Sequence, residues 1–456
     1  MKTKKRIIAT AMLVLFSVSA LVGCTAGNIG IGGSSSMNLM EGITVKAELT
    51  EKDITSWMNN QDMQKSVNDF GISLFKQSLG EAEGENLLVS PISVLYAMAM
   101  CANGADGETR HEMLAALIKG VYDGPLEDGM RETPGDGDIF DEWQEKLNGY
   151  LGSYLNTIEN YAGDPERPAD LHIANSIWVK NDDKLHVEEE FLQTNGKYYN
   201  AGVFKSDFDD AARKQINKWI EDNTKGLIKD MLKQMDEDAI MYLVNALGFE
   251  AEWSEVYDDY QVSNNIFHGE HGDKEVEFMY SDEWGYLSDE LATGFIKYYA
   301  GWDYAFVGLL PNEGVTVDEY VAGLTGEGIY DMLTNMSDEK VLTALPKFKS
   351  ESALSLVDVF RNMGVNDAFS VENADFTKLG SYEGRNILIG NILHNTYIEV
   401  DQKGTKAGAA TVIEMLAGSA MPMEPPKEVY LDRPFVYMII DANQNIPLFI
   451  GVERDI

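Results

Sequence analysis

The 456-residue chain is poor in cysteine, proline, histidine and positive charge, and each shortage removes a class of protein. Two cysteines, Cys24 and Cys101, cannot build a disulfide framework, so stability must come from an apolar core. Twelve prolines beside 44% hydrophobic residues exclude global disorder. Only 36 Lys and Arg stand against 75 Asp and Glu, a net charge of −39. That balance argues against nucleic acid, whose binding begins with cations that displace phosphate counterions. It suits a soluble monomer instead. Six histidines (His111, His172, His186, His268, His271 and His394) leave little for acid–base or metal chemistry. His268 and His271 are three apart, but Gly269 between them reads as a turn. His111-Glu112 lacks the second histidine of a zinc-protease helix, and neither a Gly-x-Ser-x-Gly elbow nor a Gly-Lys-Ser/Thr phosphate loop occurs. Asp136, Asp138 and Asp141 lack the glycine and terminal glutamate of a calcium loop. The chain is therefore read as having no catalytic set, no metal site and no cofactor.

What is present begins at the N-terminus. Met1 to Gly23 carry Lys2, Lys4, Lys5 and Arg6, no acid, and an apolar run from Ile7 to Val22. A basic flank, a short apolar centre and a small-residue exit make an export signal. Removing it takes four positive charges from −39 and leaves the mature chain near −43. The exit, Leu21-Val22-Gly23-Cys24, resembles the lipobox of bacterial lipoproteins, which implies that Cys24 becomes the lipid-modified first residue. A Gly/Ser-rich stretch from Thr25 to Met37 reads as a flexible tether. The expected organisation is a signal peptide over 1–23, a lipidated N-terminus and tether over 24–66, and one large domain over 67–456. Cys101, in the run Tyr96-Ala97-Met98-Ala99-Met100, reads as a small buried hydrophobe.

Within the domain, about Val67 to Ala116 reads helical, with Phe70, Leu74, Phe75 and Leu79 on one face and an interruption at Asn86 to Pro91. Residues 123–145 read as a solvated acidic loop leading into a helix. Helices are also expected over Arg213 to Thr224 and over Ser352 to Met363, the second closed by Gly364. From His172 onward, β-branched apolar runs predict strands at 173–179, 240–249, 304–310, 341–348, 387–400, 435–440 and 448–452. No repeat or internal linker interrupts them. The expected class is α+β, a single domain of mixed sheets with peripheral helices.

The most informative stretch runs from Gly404 to Pro426. Thr405, Ala407, Ala409, Thr411, Ile413 and Met415 share one face, while Lys406 and Glu414 stand on the other. A period of two is that of a strand with one buried face. Yet alanine and glycine favour strands weakly, and the stretch runs into a Met/Pro/Gly segment that reads as an exposed loop. Such a segment is fit for two states.

These residues resemble a known family. Asn86 to Ser93, with its Ser90-Pro91-Ile92-Ser93, is similar to a serpin segment, followed by Gly104-Ala105-x-Gly107-x-Thr109. Val244-Asn245-Ala246 with Phe249 and Trp253, Asp432-Arg433-Pro434-Phe435, and Phe449-Ile450-Gly451 match further serpin strands. Gly404-Thr405 and the alanines match the family's reactive-loop hinge. The departures are Gln402 and Lys406 where glutamates are usual, and Gly408 within the alanine run; none puts proline or charge on the inward face.

The resemblance implies a serpin-like domain with an exposed C-terminal reactive loop, and a suicide inhibitor of serine proteases rather than an enzyme. The hinge would be Gly404, Thr405, Lys406, Ala407, Gly408, Ala409, Ala410 and Thr411. The scissile bond would lie among Ala417, Gly418, Ser419, Ala420, Met421 and Met423. Ser90, Ser93, Asn245 and His394 resemble the polar cluster beneath the sheet opening, and Trp253 the residue under the loop where it enters. After attack the hinge would insert as a central strand; about fourteen residues at roughly 3.3 Å each carry the cleaved end about 45 Å. The implied partners are extracellular serine proteases and, through Cys24, a membrane surface. Between Val412 and Pro426 there is no Lys or Arg, which points to elastase-like or subtilisin-like targets. A serpin-like chaperone or carrier, and a lipid-anchored solute-binding protein, are the competing expectations.

Overall fold

A computed structural model describes residues 36–405 and 426–456, apart from 46–48, 83, 119–138, 225, 227, 231 and 236–238. Strand β1 (Met37–Asn38) precedes helices α1 (Glu51–Met58) and α2 (Gln61–Glu81), strand β2 (Leu87–Val89), and helices α3 (Pro91–Ala102), α4 (Gly107–Leu117) and α5 (Ile139–Tyr161). Strands β3 (Asp170–Lys180) and β4 (Leu185–Val187), helix α6 (Glu189–Tyr199), strand β5 (Gly202–Ser206) and helix α7 (Asp210–Asn223) follow. Next come β6 (Met241–Glu252), β7 (Val262–Gly269), β8 (Gly272–Ser288), β9 (Ala292–Tyr298) and β10 (Tyr304–Pro311). Helices α8 (Val317–Gly323) and α9 (Gly326–Thr334) lead to β11 (Ser337–Pro346), β12 (Phe348–Ser355) and α10 (Val357–Asn362). The chain closes with β13 (Gly380–Tyr382), β14 (Asn391–Val400), β15 (Gly404–Thr405), β16 (Lys427–Tyr430), β17 (Phe435–Asp441) and β18 (Ile446–Glu453).

Two sheets carry the fold. The first has the order β1-β5-β3-β6-β15-β14-β12, and β6 also pairs β14 directly. The second runs β16-β11-β8-β9-β10-β17-β18-β2, with β7 beside β8. Between them Phe306 packs on Trp253 and Tyr437, and Phe348 on Phe435 and Tyr437, with ring centroids 5.0–6.2 Å apart. Helix α3 is apolar almost all round, and all twelve of its residues are buried, as a helix enclosed on every side requires. Proline at its first position fits the opening turn, where no backbone donor is needed. Cys101 lies on it, fully buried, its thiol pKa pushed up by desolvation.

Three sequence expectations change. Packed structure starts ahead of Val67: β1 pairs β5, α1 packs along α5, and α2 begins at Gln61, capped by the Asn60 side chain on Met63 N at 3.2 Å. The 24–66 segment is therefore not all tether. Ser352–Met363 is not one helix. Its first residues finish β12, where Phe348, Ser350 and Ser352 alternate inward against β14, and pairing overrides their local pattern. Finally, β7 and much of β8 escape the apolar-run criterion because most of their side chains are polar and exposed.

Candidate functional site

The feature that stands out is the seam between β6 and β14. These strands are parallel and pair directly only at Asn391 with Tyr242, Ile392 with Leu243 and Leu393 with Val244. Above that point they separate. At the top, Gly404 and Thr405 fill the gap, antiparallel to both: Thr405 faces Ala251 on one side and Val400 on the other.

Local chemistry explains how the chain turns into that gap. After Val400, Asp401 reverses it: its Oδ1 accepts from Lys403 N at 2.7 Å and Gly404 N at 3.3 Å. Gly404 then passes so close to β6 that a Cβ would sit 2.0 Å from the Ala251 carbonyl oxygen, with φ at +156°. Only glycine fits there. Three donors just beyond β6 hold the turn: Trp253 N on Lys403 O at 2.8 Å, Tyr257 N on Gln402 O at 3.1 Å, and Trp253 Nε1 on Asp401 O at 2.8 Å. On the far side Lys347 Nζ donates to Gln402 Oε1 at 3.1 Å and pairs with Glu277 at 3.2 Å. A neutral Gln402 is thus accommodated, because Glu277 already balances the lysine. Thr405 is fully buried, and its hydroxyl lies 2.6 Å from that of Tyr299.

The lower seam is polar. Ser90, just before α3, donates its backbone N–H to His394 Nε2 at 2.9 Å. Burial lowers the pKa of His394 to about 4, so the ring is neutral and its Nε2 free to accept. Asn245 follows the last residue of the direct β6–β14 pairing, as His394 does on its own strand. Its amide donates to Asn175 Oδ1 on β3. Thr396 Oγ1 donates to Leu88 O at 2.8 Å, and Ser352 Oγ accepts from Leu88 N at 2.9 Å. Of the buried side-chain atoms that have no partner among the described residues, Ser90 Oγ, Asn175 Nδ2 and Asn245 Oδ1 lie at this lower seam. Ser93 is buried in the first turn of α3.

Sequence reasoning therefore named residues from two places. Ser90, Ser93, Asn245 and His394 belong to the lower seam, whereas Trp253 sits at the top with the turn. Gly404 and Thr405 are in the seam. Lys406 through Thr411, the scissile candidates Ala417 to Met423, and Cys24 lie outside the described residues. Asn175, Tyr257, Tyr299 and Lys347 were missed. An asparagine inside the apolar run of β3 was a signal for the first; the others sit in ordinary sequence.

The comparisons agree with this architecture. The profile described as Serpin (serine protease inhibitor) matches residues 65–455. An uncharacterized serpin-like protein of Thermococcus kodakarensis is 30% identical over 407 residues, 88% of each chain. Human neuroserpin is 28% identical over 402 residues, 85% of this chain and 90% of its own. Among solved structures, the thermophilic serpin tengpin in its native state is 37% identical with a TM-score of 0.77, covering 92% of this chain and all of the other. Its latent-state structure matches less well, at 0.71, with 36% identity over 87% of this chain and 98% of the other. The group that these matches define is one of protease inhibitors, not catalysts, and the α+β fold is shared with it: the chain belongs to the serpin family.

Proposed function

We propose that the chain inhibits serine proteases by suicide insertion, is held outside the cell by lipid on Cys24, and is directed at elastase-like or subtilisin-like enzymes. The observation that carries this reading is the seam. Two parallel strands pair at one end and admit an antiparallel strand at the other. A strand continuing from Thr405 in the same register steps down both neighbours together. Six residues on, Thr411 would face Asn245, six before Ala251, and His394, six before Val400. The intervening inward positions, 407 and 409, would meet Phe249 and Ile398, then Leu247 and Thr396, where small side chains fit a closed sheet.

In the proposed reaction the protease serine attacks a loop carbonyl, the new amino end leaves, and the acyl ester ties the enzyme to the hinge. Insertion then carries the enzyme away and distorts its nucleophile and oxyanion geometry before water can cleave the ester. A trypsin-like pocket would leave its buried carboxylate unpaired against a loop that has no base from Val412 to Pro426. A shallow apolar pocket accepts alanine, serine and methionine alike.

The test is incubation with trypsin-, chymotrypsin-, elastase- and subtilisin-like enzymes, followed by denaturing electrophoresis. A complex stable in SDS, formed faster with the last two, is expected; no complex with any, or fastest trapping of trypsin, would defeat the reading. For anchoring, Cys24→Ser should move the protein from the membrane to the soluble fraction. Unchanged fractionation would exclude lipid on Cys24.

A further inference from the structure

Tyr299, one residue past β9, touches the hinge more intimately than any residue that the sequence pointed to. Its side chain is fully buried, and its hydroxyl lies 2.6 Å from Thr405 Oγ1. Neither hydroxyl has another hydrogen bond among the described residues. The ring cannot swing aside. It stacks on Trp253 at 4.5 Å with an interplanar angle of 10°, and Phe249 meets it edge-on at 5.1 Å. The backbone is fixed as well: Tyr299 N donates to Tyr304 O at 3.0 Å, and Ala300 N to Glu252 O at 2.8 Å. Trp253 is itself tied to the turn through Asp401 O. Beneath these rings Lys297 is buried, 2.6 Å from Glu283 and 5.5 Å from the Trp253 ring centre, so the platform is braced from below.

We propose that Tyr299 is a positioning residue for loop insertion. Its hydroxyl keeps Thr405 half-entered in the sheet before any protease arrives, and so sets the share of attacked molecules that trap the enzyme instead of being cut as substrates. The physical reason is an asymmetry. If the hinge withdraws, Thr405 finds water, but the Tyr299 hydroxyl stays buried with no partner, which disfavours withdrawal. With Thr405 in place, the first pairings with β6 and β14 already exist at the moment of acylation. With it out, they must form while the acyl ester is exposed to hydrolysis. The second half of this inference rests on the proposed inhibitory function; the first half does not.

Tyr299→Phe and Thr405→Val each delete one hydroxyl and keep the shape of the side chain. Hydrogen–deuterium exchange of the intact, full-length chain reads the hinge without a protease. Exchange across residues 400–405 should speed about tenfold in either variant, the factor set by a hydrogen bond of ordinary net worth. Residues 391–395 should exchange as in the wild type. The double variant should match the single ones, because both remove the same bond. With a protease that the wild type traps, more inhibitor molecules should be consumed per complex in each variant. Wild-type exchange rates in Tyr299→Phe, or effects that multiply in the double variant, would overturn the inference. A wild type that traps no protease would instead overturn the inhibitory reading, and the exchange data would still decide whether Tyr299 holds the hinge.

Discussion

At the top of the seam, aromatic rings hold a strand that arrives from β14; at the bottom, β6 and β14 pair directly with nothing between them, Asn245 tied sideways to Asn175 on β3 and His394 to the backbone of Ser90. The upper end is paired except at Glu252 Oε1 on β6, which is buried without a partner among the described residues. The turn carbonyls of 401–403 and the Thr405 hydroxyl all have donors or partners. The lower end leaves three such atoms, Ser90 Oγ, Asn175 Nδ2 and Asn245 Oδ1, buried without one among the described residues. Since buried polar atoms are normally paired, the difference teaches where the sheet is finished and where it is not. The upper seam already has the pairing of an inserted strand. Under the proposed function, the lower one takes the rest of that strand.

The largest effect that can test this contrast is completion of the seam. Cleavage within residues 417–423 should free the hinge to fill the lower half, raising the melting temperature by tens of degrees, where 1 kcal/mol moves a large domain by only a few. Equal melting of intact and cleaved protein would mean that the lower half gains nothing from a strand. Next is Thr405→Arg, which places a charge at a fully buried point of the upper half. A cost of several kcal/mol should expel the hinge and convert inhibitor to substrate. Stoichiometric trapping by that variant would show that the upper half is not a prerequisite.

A smaller effect separates the polar layer from the aromatic one by pH. Ser350, two residues before Ser352 on β12, and Tyr437 lie beside the buried Glu453, whose Oε2 accepts from Asn86 Nδ2 at 2.7 Å. Burial pushes its carboxyl up to about 8 from 4.5. The fold therefore keeps a proton that the unfolded chain releases, so this contribution is complete below pH 4.5 and is lost as pH rises to about 8. Asp441, pushed up to about 6 by burial, has lost its contribution by that pH. His394 works the other way, losing stability as pH falls from 6.5 to about 4. Between pH 6.5 and 8 Glu453 acts alone among these three, and stability should fall by about 2 kcal/mol. Glu453→Gln should abolish that slope in thermal melts; an unchanged slope would assign it elsewhere. The smallest effect expected is from Lys347→Met, which removes a half-buried tie to Gln402 and should cost the upper half less than about 1 kcal/mol. A loss as large as that of Thr405→Arg would make the lysine, not the aromatic platform, the chief support of the hinge.

What the sequence by itself determined was whatever rests on local pattern: the buried helix α3, the apolar strands β3, β6, β10, β14, β17 and β18, the glycine at 404 and the alternation that begins at Thr405. Each shows in a few consecutive residues, because strand and helix periods are properties of neighbours in the chain. The polar residues of the lower seam could be named, though not the Asn175 that Asn245 meets 70 positions away. Strands β7 and β8 remained hidden because the mostly polar surface they expose to water carries little apolar pattern. Tertiary structure alone decided the rest. It brought Tyr299 within 2.6 Å of Thr405 across 106 positions, let Glu277 stand in for a charge that Gln402 lacks, and packed β1 and α1 against the body rather than leaving them as tether. A tyrosine in an apolar strand end gives no sign of what its hydroxyl will meet; that is fixed only when two sheets close over it and water is excluded.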